Sequence, residues 1–88
     1  MGDTNMEASV RELLLTFQRN EITEHHIYRK LAGTITFPGN REILERIAED
    51  ELRHYHEWKK YTQKEVSPHR LKVWFYYAIS LRRCPPIG

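Results

Sequence analysis

The sequence predicts a single all-α domain with two long helices and one short helix. Its 88 residues allow one domain at most. No proline or glycine occurs over residues 4–32, which favours one uninterrupted helix there. Apolar residues also recur at alternating steps of four and three in both long segments, as expected for helices that bury one face.

The first helix is predicted over about residues 5–32. Thr4 and Glu7 have the spacing of a capping box, in which two side chains satisfy free backbone N–H groups at a helix start. Gly33 is a common kind of helix stop. Residues 34–39 (TITFPG) are β-branched, aromatic and turn-forming, so we expect a short connector there.

Two further helices are predicted over about residues 41–66 and 68–82. Asn40 is expected to cap the second helix. Pro68 is expected at the first position of the third helix, and the proline pair at 85–86 ends it. A short connector makes the two long helices antiparallel neighbours, so positions at equal distances from it lie side by side.

Charge balance and cysteine content restrict the class of protein. Fourteen lysine and arginine residues against twelve acidic residues give a net charge of +2, too small to favour a nucleic-acid partner. The single cysteine, Cys84, cannot form an internal disulfide, and the first residues lack the pattern of a signal peptide. We therefore expect a protein of a reducing compartment, the cytoplasm.

The longest apolar segment, residues 71–81, is about half as long as the roughly 20 residues that a membrane span needs. The sequence thus predicts no membrane span. The third helix is nevertheless apolar on nearly all sides and has to be covered. The hairpin, a partner subunit or, in a longer relative, a membrane-proximal segment would cover it. The sequence is also compatible with association with a membrane protein.

Carboxylates interrupt the apolar stripe of each long helix near its middle. An uncompensated carboxylate in a core is unfavourable, so it must be paired, neutralised or bound to a metal. Glu21 and Glu51 both lie about 15–17 Å from the connector, and are therefore level. The stripe of the first helix contains Val10, Leu14, Phe17, Glu21, Glu24, Tyr28 and Leu31. The stripe of the second helix contains Leu44, Ile47, Glu51, His54, Trp58 and Tyr61.

Glu51 and His54 form an E-x-x-H pair, whose members project from one helical face and can hold a metal ion between them. The two oxygens of a glutamate can also bridge two ions. Oxygen-rich ligation with one histidine per ion suits iron or manganese better than structural zinc. The same side chains are also compatible with a structural network that fixes the register of the helices.

Residues 18–28 (QRNEITEHHIY) and 49–56 (EDELRHYH) resemble the first half of a rubrerythrin-type, ferritin-like di-iron domain. They are most similar to the ferritin-like domains attached to vacuolar-iron-transporter-type membrane proteins. The likeness extends over about residues 8–80. By position, it implies a helix glutamate, an additional carboxylate, a bridging glutamate and a terminal histidine as metal ligands, in this order: Glu21, Glu24, Glu51 and His54.

A complete domain of this family has two further ligand-bearing helices, which have no counterpart in this sequence. The resemblance therefore implies a homodimer or larger homo-oligomer that joins two half-sites into a four-helix bundle, as in encapsulated ferritin-like proteins built from two-helix halves. The resemblance implies a protein that binds a pair of iron or manganese ions and oxidises Fe²⁺ with O₂ or peroxide. Such a protein would be a ferroxidase or a rubrerythrin-like peroxidase. Its role would be iron handling or peroxide defence. The alternative is a non-enzymatic helical interaction module or an iron-sensing or iron-delivery module.

Some residues near the predicted site keep two interpretations. Glu24 is either a ligand or a carboxylate on the surface where metal enters. Tyr28, one turn after Glu24, is expected to pack in the core and to hydrogen-bond a ligand. The aromatic residues of the second and third helices are expected in a core or an interface. The histidines off the stripes are expected to be solvated: His25, His26, His56 and His69.

Overall fold

The computed structural model describes residues 7–83, which form three helices and contain no strand. The predicted all-α class, with two long helices and one short helix, is confirmed for this part of the chain. Gln18 pairs with Thr62 and His25 with Ala48, so the two long helices are antiparallel. The helices are α1 (Ala8–Ala32), α2 (Pro38–Thr62) and α3 (Arg70–Arg83).

Helix α1 begins after an extended residue. Glu7 is its N-cap, and the Glu7 carbonyl accepts a hydrogen bond from the N–H of Arg11 at 3.0 Å. Thr4, the other member of the predicted capping box, lies outside the described residues. Helix α1 ends at Ala32, directly before Gly33, which keeps a right-handed conformation with φ −67°.

Helix α2 begins at Pro38, which corrects the prediction of a start at Arg41 behind an Asn40 cap. Phe37 is the N-cap, and its carbonyl accepts a hydrogen bond from the N–H of Arg41 at 3.0 Å. A proline at the first helical position has a φ suited to the helix and loses no hydrogen bond there. Asn40 therefore lies inside the first turn.

Helix α2 ends at Thr62, and the predicted continuation to Val66 is wrong. Gln63 adopts a left-handed conformation with φ 57°, and its N–H donates to the carbonyl of Lys59 at 2.8 Å. The chain then turns back over the hairpin, where Val66 is buried and its N–H donates to the Tyr55 hydroxyl at 3.0 Å. These contacts compensate for the helical hydrogen bonds that residues 63–66 would make if α2 continued.

Helix α3 begins at Arg70, so the predicted start at Pro68 is also wrong. The ring of His69 caps the helix because its Nδ1 accepts a hydrogen bond from the N–H of Lys72 at 3.2 Å. The N–H of His69 donates to the Thr23 hydroxyl on α1 at 2.9 Å. This bond ties the start of α3 to α1 and leaves Pro68 in the connecting segment.

A small core joins α1, α2 and the segment that follows α2. Its buried members are Ile22, Tyr55 and Val66, with Leu15 and Leu52 packed against them. Apolar burial of this kind stabilises by about 25 cal/mol per Å² removed from water. The core holds the hairpin closed but uses only part of its apolar surface.

A buried amide fixes the end of α2 against α1. Gln18 is fully buried, its Oε1 accepts a hydrogen bond from the Thr62 hydroxyl at 2.6 Å, and its Nε2 donates to the Lys64 carbonyl at 2.6 Å. A buried amide satisfied on both sides favours one register of the helices over others.

The two predicted stripes form a partly exposed surface of the hairpin, which we call the open face. Phe17 on α1 and Tyr61 on α2 are exposed, whereas Glu21 and Glu51 between them are half-buried. Helix α3 packs on another side of α1, where Thr23 lies, and does not cover the open face. Within one chain the stripes therefore do not face a core.

Helix α3 is itself only partly covered. Val73 is buried against the rest of the chain, and Leu71 and Phe75 on the far side of the helix are exposed. No helix within residues 7–83 is long and apolar enough to cross a bilayer.

Candidate metal centre

Three potential metal ligands converge at the middle of the open face. Glu21, Glu51 and His54 each place one ligand atom within 4.8 Å of the others. Glu51 and His54 lie one turn apart on α2, and antiparallel pairing brings Glu21 of α1 level with them. The side chains that the sequence places at equal distance from the connector are thus in contact range.

One ring nitrogen of His54 is near both carboxylates. Nδ1 of His54 is 3.3 Å from Oε1 of Glu51 and 3.7 Å from Oε2 of Glu21. Ligand atoms about 2.0–2.2 Å from one ion are about 3 Å apart when they subtend a right angle. The 3.3 Å distance is close to this value, and the 3.7 Å distance would have to shorten for one ion to bind all three groups.

The carboxylates of the cluster perturb one another. Burial, then hydrogen bonds and charge repulsion from Glu21 and Glu24, raise the pKa of Glu51 from its ordinary value of 4.5 to about 8. Among the described side chains, no lysine or arginine forms an ion pair with these three glutamates. A bound cation would remove the repulsion, and carboxylate oxygens with one imidazole are donors that divalent metal ions take.

Glu24 and Tyr28 continue the cluster along α1. Both are half-buried, and Glu24 is close enough to Glu51 to hydrogen-bond it. Glu24 therefore lies at the edge of the cluster, close enough to act as a further ligand. Tyr28 is one turn further along α1, and its hydrogen bond to a ligand stays a prediction.

Trp58 closes one side of the cluster. Its indole N–H donates to Oε2 of Glu21 at 3.4 Å, and its ring centroid is 5.7 Å from that of Phe17. Sequence reasoning assigned Trp58 only to a core or interface and missed this bond. The available signal was its place on the stripe one turn after His54. A depression of about 370 Å³ beside the cluster is lined by Glu21, His54, Glu57, Trp58 and Tyr61.

The cluster remains open to solvent on one side. The side chain of His54 is 50% exposed, against 22% for Glu21 and 17% for Glu51. A four-helix di-metal site takes a glutamate from each of two helices and an E-x-x-H pair from each of the other two. One hairpin supplies half of that set.

The histidines off the stripes divide into two groups. His26 and His56 are exposed. His25 corrects the expectation of a solvated ring because it is half-buried and its Nδ1–H donates to the carbonyl of Ala48 at 2.7 Å. His69 is exposed but caps α3. His25 and His69 thus stabilise helix packing and a helix start, respectively.

Comparison of the chain with models of protein families, with curated proteins and with solved structures finds no match. The likeness to rubrerythrin-type domains therefore rests on the residues of the two helices alone. A functional interpretation depends on the arrangement of the side chains at the open face.

Proposed function

We propose that the chain is one half of a homodimeric, ferritin-like protein that binds a pair of iron or manganese ions and oxidises Fe²⁺ with O₂ or peroxide. The observation that supports this most directly is the convergence of Glu21, Glu51 and His54 from two helices, with ligand atoms within 4.8 Å of one another. The cellular role would be iron handling or peroxide defence.

Each chain would contribute four ligands. Glu51 contacts His54 and lies beside Glu21 and Glu24, which supports a bridging role for its carboxylate between two ions. His54 would bind through Nδ1, the atom nearest to both carboxylates, which requires a neutral ring with its proton on Nε2. Glu51 would give up its proton on metal binding.

The surrounding residues would orient the ligands and limit water. The hydrogen bond from Trp58 restricts rotation of the Glu21 carboxylate. The rings of Phe17 and Trp58 form an apolar wall next to the cluster. Bound iron would supply the electrons for reducing O₂ or peroxide as it passes from Fe²⁺ to Fe³⁺, and a carboxylate-rich environment favours the more highly charged form.

A second copy of the chain would complete the ligand set and cover the open face. Val10, Phe17 and Tyr61 of the stripes are exposed, and Leu13 and Ile43, each one turn before a stripe residue, extend the apolar surface. Contiguous apolar surface around a polar cluster is typical of an interaction site. A twofold axis through the cluster would place two hairpins in a four-helix bundle with both half-sites together.

A non-enzymatic interaction module, or one that senses or delivers iron, is the alternative. The exposed apolar surface supports it as well, because a partner protein could cover the open face. In an interaction module, the contacts of His54 with Glu51 and with Glu21 on α1 would be a structural network that fixes the helices. A sensing or delivery module would bind iron without rapid turnover.

Anaerobic titration with Fe²⁺ followed by air distinguishes these functions. The proposal predicts binding of about one iron per chain, with new near-ultraviolet absorption when air is admitted. Glu51→Ala should abolish both signals, whereas the matched control Glu49→Ala, an exposed acid on the same helix, should keep them. Stoichiometric binding without oxidation would indicate delivery or sensing, and no binding would indicate an interaction module.

A further inference from the structure

The outer side of α3 is an apolar surface. Leu71 is 78% exposed, Trp74 57% and Phe75 61%. Leu71 and Phe75 lie one turn apart and opposite Val73, the buried residue of this helix. Single exposed apolar side chains are ordinary, but Leu71 and Phe75, together with Trp74 between them and α1, form a patch that requires an explanation.

Positive charge surrounds this apolar surface. Helix α3 carries Arg70 and Lys72 in its first turn, ends in two arginines and contains no acidic residue. Lys30, on the adjoining side of α1, adds a further cation beside Trp74.

A cationic pocket lies where α3 meets α1. Its volume is about 280 Å³, and the ammonium group of Lys30 stands at its edge, 4.2 Å from the ring centre of Trp74 and 5.0 Å from that of Tyr77. The pocket thus combines aromatic rings with positive charge, as residues at a membrane–water interface do. It is lined by His26, Lys30, Pro68, Arg70, Val73 and Trp74.

We infer that α3 docks on an anionic membrane surface, with Leu71, Trp74 and Phe75 inserted among the lipid headgroups and the cations around them facing lipid phosphates. The helix has 14 residues and is about 21 Å long. This is too short to span a bilayer. The helix would therefore lie in the plane of the interface, as helices with aromatic and basic residues do.

Charge complementarity favours a lipid surface over a second copy of this helix. Two α3 helices packed face to face would bring Arg70 and Lys72 of both copies together, and α3 has no acidic residue to compensate. An anionic bilayer supplies both the opposite charge and an apolar layer. The contact also lies away from Glu21 and Phe17 on α1, so membrane docking leaves the open face free.

Co-sedimentation of the full chain with lipid vesicles tests this inference. We expect binding to phosphatidylcholine vesicles that contain about 30% phosphatidylglycerol to be about tenfold or more tighter than to pure phosphatidylcholine. Trp58→Phe leaves Trp74 as the only tryptophan, and its fluorescence should shift to shorter wavelength on binding. Leu71→Ser with Phe75→Ser should weaken binding about tenfold or more.

Phe37→Ser is the matched control, because Phe37 is 64% exposed in the connector between α1 and α2 instead of on α3 or the open face. Its binding to vesicles should equal that of the parent chain. Lys72→Glu adds a charge reversal at an exposed site, and its binding should fall while its helical circular dichroism stays unchanged. If Leu71→Ser with Phe75→Ser does not fold, Lys72→Glu still tests whether α3 binds the vesicles.

Three results would overturn the inference. One is equal binding to both kinds of vesicle. The second is an equal loss in Phe37→Ser and in the α3 variants. The third is a change of mass in solution, without vesicles, caused by Leu71→Ser with Phe75→Ser, since α3 would then contact a second copy of the chain.

Discussion

The indole N–H of Trp58 donates to Oε2 of Glu21 at 3.4 Å, across the hairpin from α2 to α1. The same oxygen lies 3.7 Å from Nδ1 of His54. Trp58 thus orients a potential ligand without offering a ligand atom of its own. Through its ring contact with Phe17, it also links the cluster to the apolar open face.

We expect Trp58→Phe to weaken Mn²⁺ binding about tenfold, because residues that orient a ligand typically change metal affinity by about 10–100-fold. The phenyl ring keeps most of the apolar contact and loses the hydrogen bond to Glu21. Isothermal titration calorimetry measures the affinity and should give the same stoichiometry as for the parent chain. Tyr61→Phe, on the same stripe, is the control, and equal affinities in all three proteins would exclude the orienting role.

Glu51→Ala should remove both metal ions from the proposed dimer, because a carboxylate in the proposed bridging role serves two ions. Glu24→Ala should have a milder effect, since Glu24 lies at the edge of the cluster. Metal content after dialysis, measured by inductively coupled plasma mass spectrometry, compares the two variants. Equal metal content in Glu51→Ala and the parent chain would refute the bridging role.

The metal-free protein should lose stability as pH rises from about 5 to 8. The pKa of Glu51 is raised from 4.5 to about 8, so the folded state keeps a proton that the unfolded state has released. The unfolded state then binds fewer protons, and the free energy of unfolding falls with rising pH, by on the order of 1–3 kcal/mol. Urea denaturation at both pH values, with a chelator present, measures the loss.

Glu51→Gln removes the titrating group and should flatten this pH dependence. Mn²⁺ at about 100 times its dissociation constant should add roughly 2.7 kcal/mol at pH 7 in the parent chain. A pH dependence that is the same in Glu51→Gln and the parent chain would assign the effect to other groups.

Gln18→Ala should destabilise the fold by about 2–3 kcal/mol, because it leaves a cavity and two unpaired polar groups. The groups are the hydroxyl of Thr62 and the carbonyl of Lys64, each 2.6 Å from the Gln18 amide. Urea denaturation at constant pH gives the change. Thr16→Ala, which removes an exposed hydroxyl bonded to the carbonyl of Glu12, should change stability by less than about 0.5 kcal/mol.

The level placement of Glu21 and Glu51 could be predicted from the sequence, because it depends only on helix rise and on a short connector. Helix ends were predicted less well. Asn40 and Pro68 both have residue types that suit a helix start, but Pro38 and His69 supply the actual starts. Local signals compete at such positions, and tertiary contacts decide between them.

The turn after α2 depends on contacts far apart in the sequence. Val66 lies outside α2, where it packs in the core with Ile22 and its N–H donates to the Tyr55 hydroxyl. The side-chain amide of Gln18 donates to the Lys64 carbonyl. No periodic pattern contains that information. The bond from Trp58 to Glu21 was missed for a related reason, because a stripe shows which residues share a face but not which atoms meet across it.

The mass of the metal-loaded protein tests the central claim most directly, because one hairpin supplies only half of a di-metal ligand set. Native mass spectrometry of Mn²⁺-loaded protein should show a species of about 21 kDa, twice the chain mass of 10.6 kDa, that carries two metal ions. The same species should be absent for His54→Ala. A 10.6 kDa monomer that carries metal, or a dimer that carries none, would contradict a metal site shared between two copies of this chain.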